Sequence, residues 1–141
     1  MAHHFQFAEK DAFIARGATV TGTGSLKNFG MDEILEVGKL FQKDSTNFGV
    51  INRALIKFDI SQISASVANG DIKAGAKYYL VMYDAGAIEL NNQNQLYAYA
   101  VSQSWDEGDG YKTDDPQTEN GVSWKLRTDH TSSLWSSDNS E

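Results

Sequence analysis

The chain has 141 residues, enough for one ordinary domain around one core, and its 40% hydrophobic and 22% charged residues are a globular balance. Twelve basic against 19 acidic side chains leave a formal charge of −7, which argues against nucleic acid and other polyanions as partners. The absence of cysteine excludes a disulfide framework, thiol nucleophiles and Cys-ligated metals, and no apolar run approaches the roughly 18 residues of a membrane span.

Residues 1–10 read as an N-terminal arm. They show neither the positive start nor the apolar stretch of a secretory signal, so the chain as written is expected not to export itself. Residues 11–127 then read as the folded domain. A first strand is expected over 11–20 (DAFIARGATV), followed by a stretch loosened by Gly22, Gly24 and Gly30. Residues 31–41 are read as a strand, because Leu35 with Val37 alternates and Gly38 would sit in the middle of a helix.

The clearest strand signal is 53–60 (RALIKFDI). Ala54, Ile56, Phe58 and Ile60 share one face, and Arg53, Lys57 and Asp59 lie on the other. One short helix is expected over 61–69, with Ser61 as N-cap and Asn69-Gly70 at its end. Residues 77–84 (KYYLVMYD), apolar on both faces, suit a central strand, and 95–102 (QLYAYAVS) alternates again after a turn at 91–94. Residues 128–141 form a polar, Ser-rich tail that would fray, except that Leu134 and Trp135 give it a means of docking on this domain or on a neighbour. The pattern is all-β: an antiparallel sandwich of jelly-roll type with one short helix.

Little here suggests catalysis. His3, His4 and His130 lie at the terminus or in a polar stretch, and no nucleophile elbow, phosphate loop or His-Glu-x-x-His pattern occurs. The chain is expected not to be an enzyme. An acidic, glycine-broken loop at 105–116 carries five carboxylates between Asp106 and Asp115. Calcium takes six to eight oxygens from such a bendable loop, with Asp106, Glu107 and Asp109 as the candidate ligands. The alternative is a solvated loop whose Asp side chains cap its own turns, since the spacing is not that of an EF-hand. The aromatics offer a third route. Trp105, Tyr111 and Trp124 could stack on sugar rings if exposed, or Trp105 and Trp124 could close the core at strand ends.

Asp11 with the first strand, Asn28-Phe29-Gly30, Leu35-Glu36-Val37-Gly38, Asn52 to Ile60, Trp105-Asp106-Glu107-Gly108 and Gly121-Val122-Ser123-Trp124 together resemble the DNRLRE-type β-sandwich domain, a relative of certain carbohydrate-binding modules. The resemblance implies that Arg53, Phe58 and Asp59 are structural residues of the central strand. It also implies that Trp105 and Glu107 form a corner where the acidic loop turns back. Such domains usually continue past the second tryptophan motif, so the sandwich here is expected to lack its last strands or to receive them from a partner. The wording around 53–60 and 102–108 is also similar to virion structural proteins of contractile-tailed marine phages. That likeness implies a non-catalytic tail, baseplate or capsid-surface subunit, folded in the host cytoplasm and held by contacts with itself or with neighbouring subunits. The alternative is a carbohydrate-binding module of a larger secreted or cell-surface protein, with a glycan as its partner and an extracellular location.

Overall fold

The computed structural model describes residues 5–16, 25–39, 49–73, 75–87, 93–129 and 132–136. The chain divides into two units, Met1–Phe58 with Ser102–Glu141, and Asp59–Val101. The first unit is built on three antiparallel strands, β1 (Ala8–Arg16), β2 (Gly38–Lys39) and β3 (Ile51–Phe58), in the order β1-β3-β2. β1 pairs with β3 so that Phe13 faces Ala54 and Ala12 faces Leu55, and the register shifts between Ala8 and Lys10. The sequence reading placed residues 8–10 in an arm; they open β1 instead. Residues 17–20, assigned to the same strand, lie outside the described residues.

Strand alternation makes β1 the centre of two apolar clusters. Ala12 and Ile14 point to one side and pack with Leu55, Trp105 and Val122, against which Trp124 and Trp135 also rest. Phe13 and Ala15 point to the other side and pack with Phe29, Leu35 and Val50; the Phe13 and Phe29 rings stack 4.2 Å apart. The expected inner face of β3 is thereby corrected. Leu55, which alternation grouped with Arg53 and Lys57, is the buried residue, and Ala54, Ile56 and Phe58 are only half-buried. The physical reason is that Trp105 and Val122 come from a distant part of the chain to cover the Leu55 side.

Of the expected strand over 31–41 the described residues keep Gly38–Lys39, with turns and bends before it, and residues 40 and 41 lie outside the described residues. The tail does dock on this domain. Leu126 and Leu134 form an antiparallel bridge, and the Trp135 indole N–H donates to the Ser123 carbonyl at 3.0 Å. Leu134 stays exposed.

The second unit contains α1 (Ile60–Ala68). Asp59, not Ser61, is its N-cap: the carboxylate accepts the Ser61 N–H at 2.9 Å and so satisfies a free helix-end donor. The helix ends at Asn69, and Gly70 follows in the left-handed region at φ 81°, as an αL terminator should. Residues 77–84 and 95–101 take no part in the sheet among the described residues, contrary to the two strands expected there. A strand requires a hydrogen-bonded neighbour, and among the described residues these segments have none in a sheet. Their apolar side chains are exposed, with Tyr83 at 94%. Among the described residues no helix is long and apolar enough to cross a membrane.

Candidate functional site

The site grows from one buried amide. Asn28 is fully buried, and its side chain makes four hydrogen bonds to main chain, three of them to residues remote in sequence. Nδ2 donates to the carbonyls of Glu107 (2.7 Å) and Val122 (2.8 Å), and Oδ1 accepts the N–H groups of Gly30 (3.1 Å) and Gly110 (2.8 Å). Three loops are thereby held against one another. Glycine is needed where they meet: Gly108 and Gly121 have φ of 80° and 87°, and a methyl at Gly30 would collide with the Glu107 carbonyl.

This clasp sets the acidic loop beside residues 31–36. Asp114 closes the loop on itself, accepting the Tyr111 N–H at 2.8 Å and the Thr118 hydroxyl at 2.6 Å. The Thr118 bond first, then that from Tyr111, hold the Asp114 carboxyl below the usual carboxylate range. Lys27, itself buried, braces the loop from within by donating to the Lys112 and Asp114 carbonyls at 2.7 and 3.0 Å. This part of the loop follows the self-capping alternative.

Between the loop and residues 31–36 lies an open cleft of about 330 Å³, lined by Phe13, Met31, Ile34 and Tyr111 and edged by Asp32, Glu33, Glu36 and Lys112. Tyr111 is 43% exposed and Ile34 58%. Both Asp32 oxygens accept the Lys112 backbone N–H (3.2 and 3.0 Å), and Glu36 pairs with the Lys112 ammonium while accepting the Asn52 amide at 2.8 Å.

Of the three aromatics expected to bind ligand, only Tyr111 borders this cleft. Trp105 is 4% exposed and is a wall of the core, with the Lys10 ammonium 4.6 Å from its ring centroid. Trp124 rests on the same core, and the guanidinium carbons of Arg53 and Arg16 lie 4.7 and 5.9 Å from its ring centroid, so it is not the open platform expected. The candidate calcium ligands point to different tasks. Glu107 accepts the Asp11 N–H at 2.8 Å, while Asp106 and Asp109 are exposed, and among the described residues no three acidic or histidine side chains gather as a metal site would. His3, His4 and His130 lie outside the described residues. The carboxylate edge at Asp32, Glu33 and Glu36 was not singled out as a site by the sequence reading, because residues 31–41 were taken for a strand. The only sequence signal there was the Leu35-Glu36-Val37-Gly38 piece of the family likeness.

Asp11 gives a pH test of this corner. Burial, and then the Glu107 charge beside it, raise its carboxyl above the ordinary value of 3.8. The ionised form is therefore disfavoured in the folded chain. The resulting destabilisation is complete above the folded pKa and is relieved as pH falls through it. Asp11→Asn is expected to melt at a higher temperature than the parent at pH 7, with the two converging as pH falls to about 3. Melting curves across that range check it; a variant less stable at pH 7 would refute the assignment.

The cleft thus gathers the Tyr111 ring, the apolar Phe13, Met31 and Ile34 side chains and the Asp32, Glu33 and Glu36 carboxylates on one open surface. The family model of carbohydrate-binding module family 96 matches residues 5–138. The chain belongs to that family. No curated protein and no solved structure matches the chain in the corresponding comparisons. The likeness to carbohydrate-binding modules seen in the sequence is thus supported, whereas the virion likeness has no support among the comparisons.

Proposed function

We propose that the chain is a non-catalytic glycan-binding module that holds a saccharide in the cleft beside Tyr111, on a sandwich of jelly-roll type. The observation that carries the reading is the family match over residues 5–138, joined to a partly exposed aromatic ring in a cleft that Phe13, Met31 and Ile34 also line. The C–H face of a sugar packs on an aromatic ring while its hydroxyls donate to nearby carboxylates, and this cleft supplies both kinds of contact. Such a module serves to hold a larger protein against a polysaccharide, and its place of work is extracellular.

Tyr111→Ala tests this directly. The Tyr111 backbone bonds to Asp114 survive the change and the residue is 43% exposed, so stability should fall by no more than about 1 kcal/mol. Affinity should fall by about tenfold or more, from roughly 1.5–3 kcal/mol of lost apolar contact. Affinity electrophoresis through gels containing neutral, amino and acidic polysaccharides reads the result. No retardation by any of them would sink the glycan reading; full binding by Tyr111→Ala would move the site elsewhere.

A further inference from the structure

We propose that two copies of this chain pair through residues 77–84, antiparallel about a two-fold axis at Val81, with the tyrosine-rich surface of the Asp59–Val101 unit as the interface. The inference goes beyond glycan binding and does not depend on it. In that unit, residues 77–84 (KYYLVMYD) and 95–101 (QLYAYAV) carry ten large apolar side chains that are at least half exposed, among them five of the chain's six tyrosines. Together they expose on the order of 1,000 Å². The largest apolar patch on a monomer is about 300–600 Å², and a stable interface takes about 800 Å² from each partner. The surface is too large for an uncovered face and large enough for a stable dimer. Its composition agrees, because tyrosine is enriched at interfaces, where it supplies contact area at small entropic cost.

Backbone and charge name a second copy as the occupant. Among the described residues no main-chain group between 77 and 84 is hydrogen-bonded, so the segment is free to receive another strand. Of its eight residues only the first and the last, Lys77 and Asp84, are charged. The segment is neutral within a chain of net charge −7, and an identical segment meets it without repulsion. Antiparallel pairing sets the Lys77 end of one copy beside the Asp84 end of the other, whereas parallel pairing would bring like charges together. A two-fold axis through an antiparallel ladder opposes one residue to its own counterpart. With Val81 there, Tyr79 faces Tyr83 of the second copy, and this aromatic pair occurs twice. With Leu80 there, Lys77 would face Tyr83 and no tyrosine would lie opposite another.

Sedimentation velocity of the full chain, over about a hundredfold range of concentration, tests the association, and twice the chain mass is expected at the upper end. Tyr83→Glu should raise the dimer dissociation constant by about tenfold or more, because it removes both aromatic pairs and sets a charge in an apolar interface. Tyr83 is almost wholly exposed and all three tryptophans lie in the other unit, so the variant should keep the parent's tryptophan fluorescence. The chain has no cysteine, so a single introduced thiol reports only on its own counterpart. Val81→Cys should form a disulfide-linked dimer on mild oxidation, since opposed residues of an antiparallel ladder have Cα atoms about 4.5–5.5 Å apart. Tyr78→Cys should not, because its counterpart would lie about 20 Å away along the ladder. A monomer at every concentration, a dimer that Tyr83→Glu does not weaken, or a Val81→Cys chain that crosslinks no faster than Tyr78→Cys overturns the proposal.

Discussion

Asn28→Ala is expected to destabilise the chain by about 3–6 kcal/mol. Four main-chain groups would lose their partner at once: the Glu107 and Val122 carbonyls and the Gly30 and Gly110 N–H groups. An orphaned buried polar group costs about 1–3 kcal/mol, and the sum falls below four full penalties because water can enter the space vacated. A domain of ordinary stability has about 5–15 kcal/mol in total, so a large part of it would be lost. Asn28→Asp makes the control informative. It keeps both acceptor bonds, loses both donors, and sets a charge against two carbonyl oxygens, so it should be nearly as damaging as alanine. Urea unfolding followed by tryptophan fluorescence measures both. A loss under about 1 kcal/mol in Asn28→Ala would show that the three loops hold together without the amide.

The same residue shows how much of the molecule could be read from its sequence. Strands β1 and β3 were legible because alternation is a local property, and each strand's own residues carry it. The helix was legible for the same reason, although the capping side chain proved to be Asp59, one residue before the helix starts. Which side of β3 is buried was not legible. Leu55 is covered by Trp105 and Val122, and nothing between residues 51 and 58 reports their arrival. Asn28 stood in the family likeness as part of Asn28-Phe29-Gly30, yet its role depends on carbonyls 79 and 94 positions away. Tyr111 was picked out as a binding aromatic and does border the cleft. Its partners Met31, Asp32 and Ile34 were hidden inside an expected strand, because a short alternating run carries no sign that it will bend into a turn.

Trp105→Ala should cost about 3–5 kcal/mol, the second large loss, and it separates the core from the binding surface. The indole packs with Ala12, Ile14, Leu55 and Val122, and the Lys10 ammonium lies over its ring while donating to the Trp105 carbonyl. Truncation leaves a hole among side chains fixed by a strand ladder, which cannot close by small shifts. Trp105→Phe keeps most of the volume and should cost only about 1–2 kcal/mol, leaving a folded chain whose glycan affinity can be measured. That affinity should match the parent within about twofold, because Trp105 is 4% exposed and does not line the cleft. Tyr111→Ala should behave in the opposite way, with stability kept and affinity lost. The two variants therefore move different observables: thermal or urea unfolding reports the tryptophan, and titration with a glycan reports the tyrosine. A Trp105→Phe chain that unfolds like the parent but no longer binds would return Trp105 to the ligand surface. The separate responses would instead mean that the tryptophan of the Trp-Asp-Glu-Gly segment closes the core, and that binding belongs to the tyrosine six residues later.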